Sequence, residues 1–383
     1  MGSGRWSSDI YETAERLRGG KSAFGYSDSG ARTVHPDLDP FDVGKRESRD
    51  SGEHPESLAI AVLFDVTGSM GNVPRTLQKK LPKLLGLLKD GEYARDPQLM
   101  FGAIGDATCD RAPLQVGQFE SDNRMDGDLE RILLEGGGGG QKTESYELAM
   151  YFMARHTAID CFEKRGRRGY LFVIGDEMPY PAVKPREVSA WIGDDLPQPV
   201  PLRNLVAQLT RRWDTYYLLP EGASYAGDGQ VLGMWRGLLG QNVIELADLG
   251  AVCETIALTV GLGEEAIDLA DGLADLHDVG SPAGATVERA LGGIGAYRAG
   301  PGRASTARRR GRALRGAPAP RALPAGTVSG STVSGGTVSG GTVSGGTAPA
   351  GDQAGGGSAA GDGGRRPRSG GSGRDFPSGG VLL

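Results

Sequence analysis

Cysteine is scarce in this chain. Only three cysteines occur among 383 residues, at Cys109, Cys161 and Cys253. They are too few and too widely spaced to form a disulfide framework or the paired spacing of a cysteine zinc site. We therefore expect reduced thiols, which excludes a small domain held together by disulfides.

Long apolar runs are also missing. No segment reaches the roughly 18 apolar residues that a membrane-spanning helix needs, and the first residues lack the apolar core of a secretory signal. We expect a cytoplasmic protein with no membrane partner.

The C-terminal part of the chain has few aromatic residues and little aliphatic periodicity. Residues 301–383 contain eleven Arg, three Asp and no Glu or Lys, a net charge of +8. The net charge of −6 for the whole chain then leaves −14 for residues 1–300. A Thr-Val-Ser-Gly motif repeats every five residues from Thr327 to Thr342. This composition cannot bury a core, and we predict a low-complexity, disordered tail over residues 263–383.

Ahead of this tail, apolar strands alternate with amphipathic helices. The run from Leu58 to Phe64 is continuously apolar, as expected of a strand that is covered on both faces. A helix over 74–89 follows, and residues 1–56 are predicted to be a weakly ordered arm with a short helix at 9–18. Further strands are predicted at 99–104, 114–119, 170–174, 215–219 and 243–246, and further helices near 125–134, 144–157, 202–212, 230–239 and 248–260.

This alternation predicts the fold class. It is typical of an α/β domain in which a doubly wound, mostly parallel sheet lies between two helical layers. We place this three-layer, Rossmann-like domain at residues 57–262. Ligands of such sheets bind at the carboxyl ends of the strands, so the polar residues that follow the strands are the candidates for function.

Oxygen-bearing side chains occur at three such positions. Asp65, Thr67 and Ser69 follow the first strand at alternate positions, and Asp176 follows the predicted strand at 170–174. Thr143 comes at the end of a loop that contains five consecutive glycines. Mg²⁺ prefers oxygen ligands, retains several waters and is usually held by one or two carboxylates, which this set supplies. The sequence therefore predicts a Mg²⁺ or Mn²⁺ site.

These motifs resemble the metal-ion-dependent adhesion site of von Willebrand factor A (vWA) domains. The resemblance covers roughly residues 57–262 and implies six strands in the order 3-2-1-4-5-6, with the third strand antiparallel at an edge. The family more often has Ser where this chain has Thr67, and Thr-Asp-Gly where this chain has Gly175, Asp176 and Glu177. By the same resemblance, Asp106, Ser145 and Glu177 would lie beside the ion without holding it directly, and the two acids would disfavour an incoming carboxylate.

The resemblance implies a function in binding rather than in catalysis. It indicates a Mg²⁺-dependent protein-binding or scaffolding module of the intracellular bacterial type, whose partner engages the metal site. Such proteins commonly work beside hexameric ATPases of the AAA+ type, so we expect such an ATPase as one class of partner. We expect no enzymatic activity.

Three alternatives stay open at this point. Haloacid-dehalogenase-type phosphohydrolases use an Asp after the first strand, as Asp65 would be, but place a second acid where this chain has Thr67. The loop ending in Lys142 and Thr143 partly matches a phosphate-binding loop but lacks its last glycine. The arginines of the tail would serve a nucleic-acid scaffold, although composition favours a solvated charge run and no nucleic-acid partner.

Overall fold

A computed structural model describes residue 7, residues 24–137 and residues 140–298. The chain divides into two units, Met1–Arg312 and Ala313–Leu383, and only the first contains described residues. The predicted helix at 9–18, part of the glycine run and the repeat tail from residue 299 lie outside the described residues. Within the described ranges, no helix is long and apolar enough to cross a membrane.

A six-stranded sheet organises the first unit. In order across the sheet, its strands are Val243–Leu246, Trp213–Pro220, Gly169–Ile174, Leu58–Asp65, Pro97–Ile104 and Leu114–Val116. Five of them are parallel, and the edge strand Leu114–Val116 is antiparallel to its neighbour. The predicted mostly parallel sheet is therefore confirmed, and its order and reversed edge strand agree with the expectation. The strands are β1 (Arg46–Ser48), β2 (Leu58–Asp65), β3 (Pro97–Ile104), β4 (Leu114–Val116), β5 (Thr143–Glu144), β6 (Thr157–Ile159), β7 (Gly169–Ile174), β8 (Met178–Pro179), β9 (Ala182–Val183), β10 (Val200–Pro201), β11 (Trp213–Pro220) and β12 (Val243–Leu246).

Helices connect the strands in chain order. Each helix predicted between residues 74 and 260 is present, although the helix at 74–89 is interrupted by a 3₁₀ turn at Leu81–Lys83, which contains Pro82. The helices are α1 (Gly25–Asp28), α2 (Val73–Lys80), α3 (Leu84–Asp90), α4 (Met125–Arg131), α5 (Tyr146–Arg155), α6 (Asp160–Glu163), α7 (Pro185–Trp191), α8 (Leu202–Leu209), α9 (Gly229–Leu239), α10 (Val252–Gly263), α11 (Leu269–Asp278) and α12 (Gly284–Arg298).

The central strands are buried because both of their faces are apolar. Every residue of β2, β3 and β7 is buried, as the continuous apolar run in β2 predicts. Burial of apolar surface is the main stabilising contribution here, at about 25 cal/mol per Å² removed from water.

The described part of the N-terminal arm is more ordered than predicted. Phe24 and Leu38 are fully buried, and β1 pairs in parallel with β6. Asp50 bonds to Ser57 and forms an ion pair with Arg165 at 2.8 Å. Single buried apolar residues and ionic contacts thus hold the arm in place. Such isolated contacts produce no periodic pattern in the sequence.

The boundary predicted for the tail is also wrong. Residues 269–298 form α11 and α12, where we expected low-complexity disorder from residue 263. Leu276, Val287, Leu291 and Ile294 are buried, so these helices contribute to the core. The many glycines and alanines of this segment make its apolar spacing hard to recognise in the sequence. The few apolar residues are nevertheless sufficient for packing.

The contacts of Asp50 predict a pH-dependent contribution to stability. Partial burial opposes ionisation, but hydrogen bonds from Arg165, Ser57 and Lys164 hold the pKa of Asp50 well below its usual range. The ionised Asp50 thus stabilises the fold at any pH above its unfolded-state pKa, near 3.8. This stabilisation is lost as the pH falls through the lower pKa that Asp50 has in the folded state. We expect Asp50→Asn to lower the free energy of unfolding by about 1–3 kcal/mol at pH 7, with a smaller difference in acid. Urea unfolding measures this.

An exposed aspartate provides the control for this prediction. The side chain of Asp278 is 71% exposed, and Asp278→Asn should leave the stability unchanged. Equal effects of the two substitutions, or a difference at Asp50 that persists in acid, would contradict the role assigned to Asp50.

Candidate metal centre

Four of the predicted ligands form a row of close polar contacts. The backbone N–H and the hydroxyl of Thr67 donate to Oδ1 of Asp65 at 2.8 and 2.6 Å. The hydroxyl oxygens of Thr67 and Ser69 are 3.2 Å apart, and Ser69 donates to Oδ1 of Asp176 at 2.7 Å. The structure therefore brings Asp65, Thr67, Ser69 and Asp176 together at one edge of the sheet.

The pairing of two central strands creates this arrangement. Strands β2 and β7 are parallel neighbours, with Phe64 opposite Ile174. Asp65 and Asp176 come one and two residues after these partners, so both carboxylates emerge at the carboxyl end of the sheet. Asp176 is fixed further because Oδ2 accepts from the backbone N–H of Tyr225 at 3.0 Å.

The glycine run allows a second backbone to approach the Thr67–Ser69 turn. The N–H of Gly68 donates to the carbonyl of Gly137 at 2.6 Å. A Cβ atom at Gly68 would lie 3.0 Å from that carbonyl oxygen, closer than ordinary packing allows. Gly136 has a φ of +62°, which favours glycine. The described glycines thus serve a close approach of two turns.

The donor set fits a hard cation. Both hydroxyls donate their protons to carboxylates, which leaves the oxygen lone pairs available for an ion. Their separation of 3.2 Å is close to the distance of about 2.9 Å between adjacent ligands of an octahedral Mg²⁺ ion. The described residues contain no group of three or more His, Cys, Asp or Glu side chains suited to a metal. The ligands would therefore be two carboxylates, hydroxyls and water.

Thr143 is positioned by a short strand next to this row. It belongs to β5, which pairs with β8 just after Asp176, with Thr143 opposite Met178. In the part of the chain that the structure describes, no hydrogen bond connects Thr143 to the other four predicted ligands.

Asp106 forms a neighbouring cluster after β3. It is fully buried, and Oδ2 accepts from the hydroxyls of Thr108 and Tyr180 at 2.8 and 3.1 Å. Ser145 joins α5 to this loop because its hydroxyl accepts from the N–H of Ala107 at 2.9 Å. Asp106 and Ser145 therefore lie at the same edge of the sheet. Among the described residues, neither side chain is hydrogen-bonded to the row.

Burial dominates the electrostatics of the site. It raises the pKa of Asp65 to about 7, against the opposing effect of hydrogen bonds from Thr67 and Tyr146. Burial likewise raises the pKa of Asp176, although Ser69 and the loop at Tyr225 donate to it. A cation would favour the ionised form of both acids, so ion binding and deprotonation are coupled.

Sequence reasoning missed Tyr146 as a site residue. Tyr146 begins α5 and is fully buried, and its hydroxyl donates to Oδ2 of Asp65 at 2.6 Å. Both oxygens of Asp65 are therefore oriented by donors. The available sequence feature was a tyrosine at the start of the helix that follows the glycine loop.

The hydrogen bond from Tyr146 to Asp65 predicts a measurable effect of this tyrosine on metal affinity. Tyr146→Phe removes the donor that orients Asp65, and loss of such an outer partner costs about 10–100-fold in affinity. We expect Mn²⁺ binding, measured by isothermal titration calorimetry, to weaken by this factor. Tyr216, which stacks on Phe172 in the sheet, provides the control. If Tyr146→Phe binds Mn²⁺ no more weakly than Tyr216→Phe, Tyr146 does not position the site.

Comparisons with known proteins identify only distant structural similarity. No protein-family model matches the chain, and no curated protein matches it. The chain is similar to the open conformation of the pilus adhesin SpaC from Lactobacillus rhamnosus GG, with a TM-score of 0.40, 8% identity, and coverage of 57% of this chain and 31% of that chain. It is also similar to proximal thread matrix protein 1 from the mussel byssus, with a TM-score of 0.35, 9% identity, and coverage of 56% and 47%. Both alignments span less than half of the solved chain and carry no argument about function.

Proposed function

We propose that this protein is a Mg²⁺-dependent protein-binding module of the vWA type, with its sheet between two helical layers. The row formed by Asp65, Thr67, Ser69 and Asp176 carries this proposal. Two carboxylates and two hydroxyls converge there through contacts of 2.6–3.2 Å, although residues 69 and 176 are 107 positions apart in the chain. Mn²⁺ would fit the same ligands.

The partner would engage the ion from outside the sheet edge. Two carboxylates and neutral hydroxyls leave coordination positions to water, which a polar group of another protein can replace. Asp106 and Glu177 add negative charge nearby and disfavour an acidic partner group unless that charge is offset. An ATPase of the AAA+ type is the class of partner that the resemblance to vWA proteins suggests.

The same geometry argues against phosphoryl transfer. Thr67, two residues after Asp65, has a hydroxyl that cannot exchange protons near neutral pH as a general acid requires. That hydroxyl and the adjacent N–H are both bonded to Asp65, which holds the carboxylate in place. A binding role needs no proton transfer and is consistent with this arrangement.

The metal site can be tested with the isolated protein. Asp65→Asn removes one charged ligand, and Ser69→Ala removes the hydroxyl that joins both halves of the row. We expect each variant to weaken Mn²⁺ binding at least about tenfold in calorimetry, since a lost ligand costs more than a lost outer contact. Thr210→Ala is the matched control because the hydroxyl of Thr210 donates to the helix carbonyl of Val206.

Partner binding should follow the metal. Affinity capture in Mg²⁺ and in chelator should recover a protein that is lost in chelator and lost with Ser69→Ala, but kept with Thr210→Ala. Recovery that is equal in all four conditions would contradict a metal-dependent partner.

A phosphatase assay distinguishes the binding module from an enzyme. With Mg²⁺ and a generic aryl phosphate, we expect no turnover above the buffer rate, because Thr67 stands where such enzymes have the aspartate that acts as the general acid. Turnover that Asp65→Asn abolishes would overturn the proposed function.

A further inference from the structure

The outer edge of β12 carries backbone groups that no described residue satisfies. β12 is the last strand of the sheet, and it pairs only with β11. The N–H of Tyr217 in β11 donates to the carbonyl of Asn242 at 2.9 Å. Because backbone groups alternate in direction along a strand, the N–H and C=O groups of Val243 and Glu245 point away from β11. Among the described residues, none of these four groups has a hydrogen-bond partner.

The opposite edge of the sheet is covered. The carbonyl of Val116 in β4 accepts from the guanidinium group of Arg46 at 2.9 Å, so the N-terminal arm occupies that edge. Proteins commonly cover or charge an edge strand in this way, which prevents the addition of another strand. Within the described ranges, β12 has no such cover. Its only charged residue is Glu245, which is paired with Arg236 at 2.6 Å.

A cleft of about 820 Å³ borders β12. Its walls come from β12, from the C-terminal end of α9 and from α12. β12 contributes the apolar residues Val243 and Leu246, and α12 contributes Ala290 and Ile294. The volume is within the range of ligand clefts, roughly 300–1,000 Å³. The open edge therefore has an apolar cleft beside it that is large enough for the side chains of a further strand.

The charges of the cleft balance. Its lining includes two arginines, Arg236 and Arg289, and two glutamates, Glu221 and Glu245. There is no excess charge of either sign to attract a strongly charged segment. Side chains that fit a pleated, half-buried surface are mainly β-branched and apolar. The cleft thus favours an uncharged, extended segment that is rich in β-branched residues.

We propose that β12 binds an extended, uncharged segment of another protein as an additional strand of the sheet. Backbone hydrogen bonds to Val243 and Glu245 hold the segment, and the cleft accepts its alternate side chains. The cleft is also lined by Ala226, whose neighbour Tyr225 donates to Asp176, so a partner at the metal edge is close enough to present such a segment. The interaction goes beyond the proposed function because it needs no cation.

Peptide binding to the full-length protein tests this inference. The probe is a peptide of alternating Thr and Val that is capped at both ends, and residue-resolved hydrogen exchange reports on β12. In the protein alone, the amides of Val243 and Glu245 should exchange at least about tenfold faster than those of Ile244 and Leu246, which face β11. Saturating peptide should remove this difference. Unchanged exchange at Val243 and Glu245 in millimolar peptide would overturn the proposal.

A matched pair of variants tests the role of the backbone. Val243→Pro removes the outward N–H, whereas Val243→Thr keeps it. A carbonyl of the bound peptide then lacks a donor, so Val243→Pro should bind the peptide at least about tenfold more weakly than Val243→Thr. Proline is tolerated on edge strands, so both variants should melt close to the wild-type temperature. Equal affinity of the two variants for the peptide would contradict strand addition.

A modified peptide gives a second test that leaves the protein unchanged. A peptide methylated on all its backbone nitrogens cannot donate to β12, and it should not bind even if Val243→Pro fails to fold. Equal binding of the methylated and unmethylated peptides would overturn the proposal.

The same measurements identify other occupants of the edge. Slow exchange at Val243 and Glu245 in the protein alone, at every concentration, would mean that the chain covers its own edge. Slow exchange that appears only as the protein concentration rises would mean that a second copy binds there. Either result overturns a site for another protein.

The metal dependence of peptide binding separates this inference from the proposed function. The peptide should bind equally in Mg²⁺ and in chelator, and equally to the wild type and to Ser69→Ala. A failure of the metal site would therefore leave the strand-addition site intact. Peptide binding that is lost in chelator would contradict β12 as an independent site.

Discussion

The parallel pairing of β2 with β7 is the constraint on which the rest of the structure depends. It places the ends of two fully buried strands side by side, so that Asp65 and Asp176 emerge at the same edge. Ser69 can then bridge the two halves at 2.7 Å from Asp176. Because the strands are buried on both faces, their register is set by the core, and the site takes its geometry from packing rather than from a flexible loop.

Burial of these acids links the stability of the protein to its function. Three buried aromatic side chains pack beneath the acids. The rings of Tyr217 and Trp235 stack with centroids 3.9 Å apart, and Tyr146 meets Trp235 edge to face. Burial raises the pKa of Asp65, so the ion-free fold becomes less stable as the pH rises through about 7 and the acid ionises. A bound cation would offset this cost, so the relief of buried charge would contribute to the affinity for the proposed ion.

The parts of the fold that were predictable are those with strong periodicity or strong local chemistry. The apolar run of β2 and the hydroxyls that follow it identify the first half of the site without any structural information. The position of Thr143 was less predictable, because β5 contains only two residues and its pairing with β8 gives no periodic pattern. In α12, the apolar spacing of Val287, Leu291 and Ile294 is helical, but surrounding glycines and alanines weaken the pattern.

The turn at Thr67–Ser69 also connects the site to two loops. The carbonyl of Ser69 accepts from the N–H and the hydroxyl of Ser224 at 2.9 and 2.8 Å, and Gly68 donates to Gly137 on the other side. The loop at Ser224 continues to Asp228, which pairs with Lys142 at 2.7 Å and so returns to the segment before Thr143. A displacement of Ser69 must therefore carry both loops with it or break these bonds. Because Ser69 is also a ligand candidate, a change in the coordination of the proposed ion would act directly on the surrounding surface, where a partner would bind.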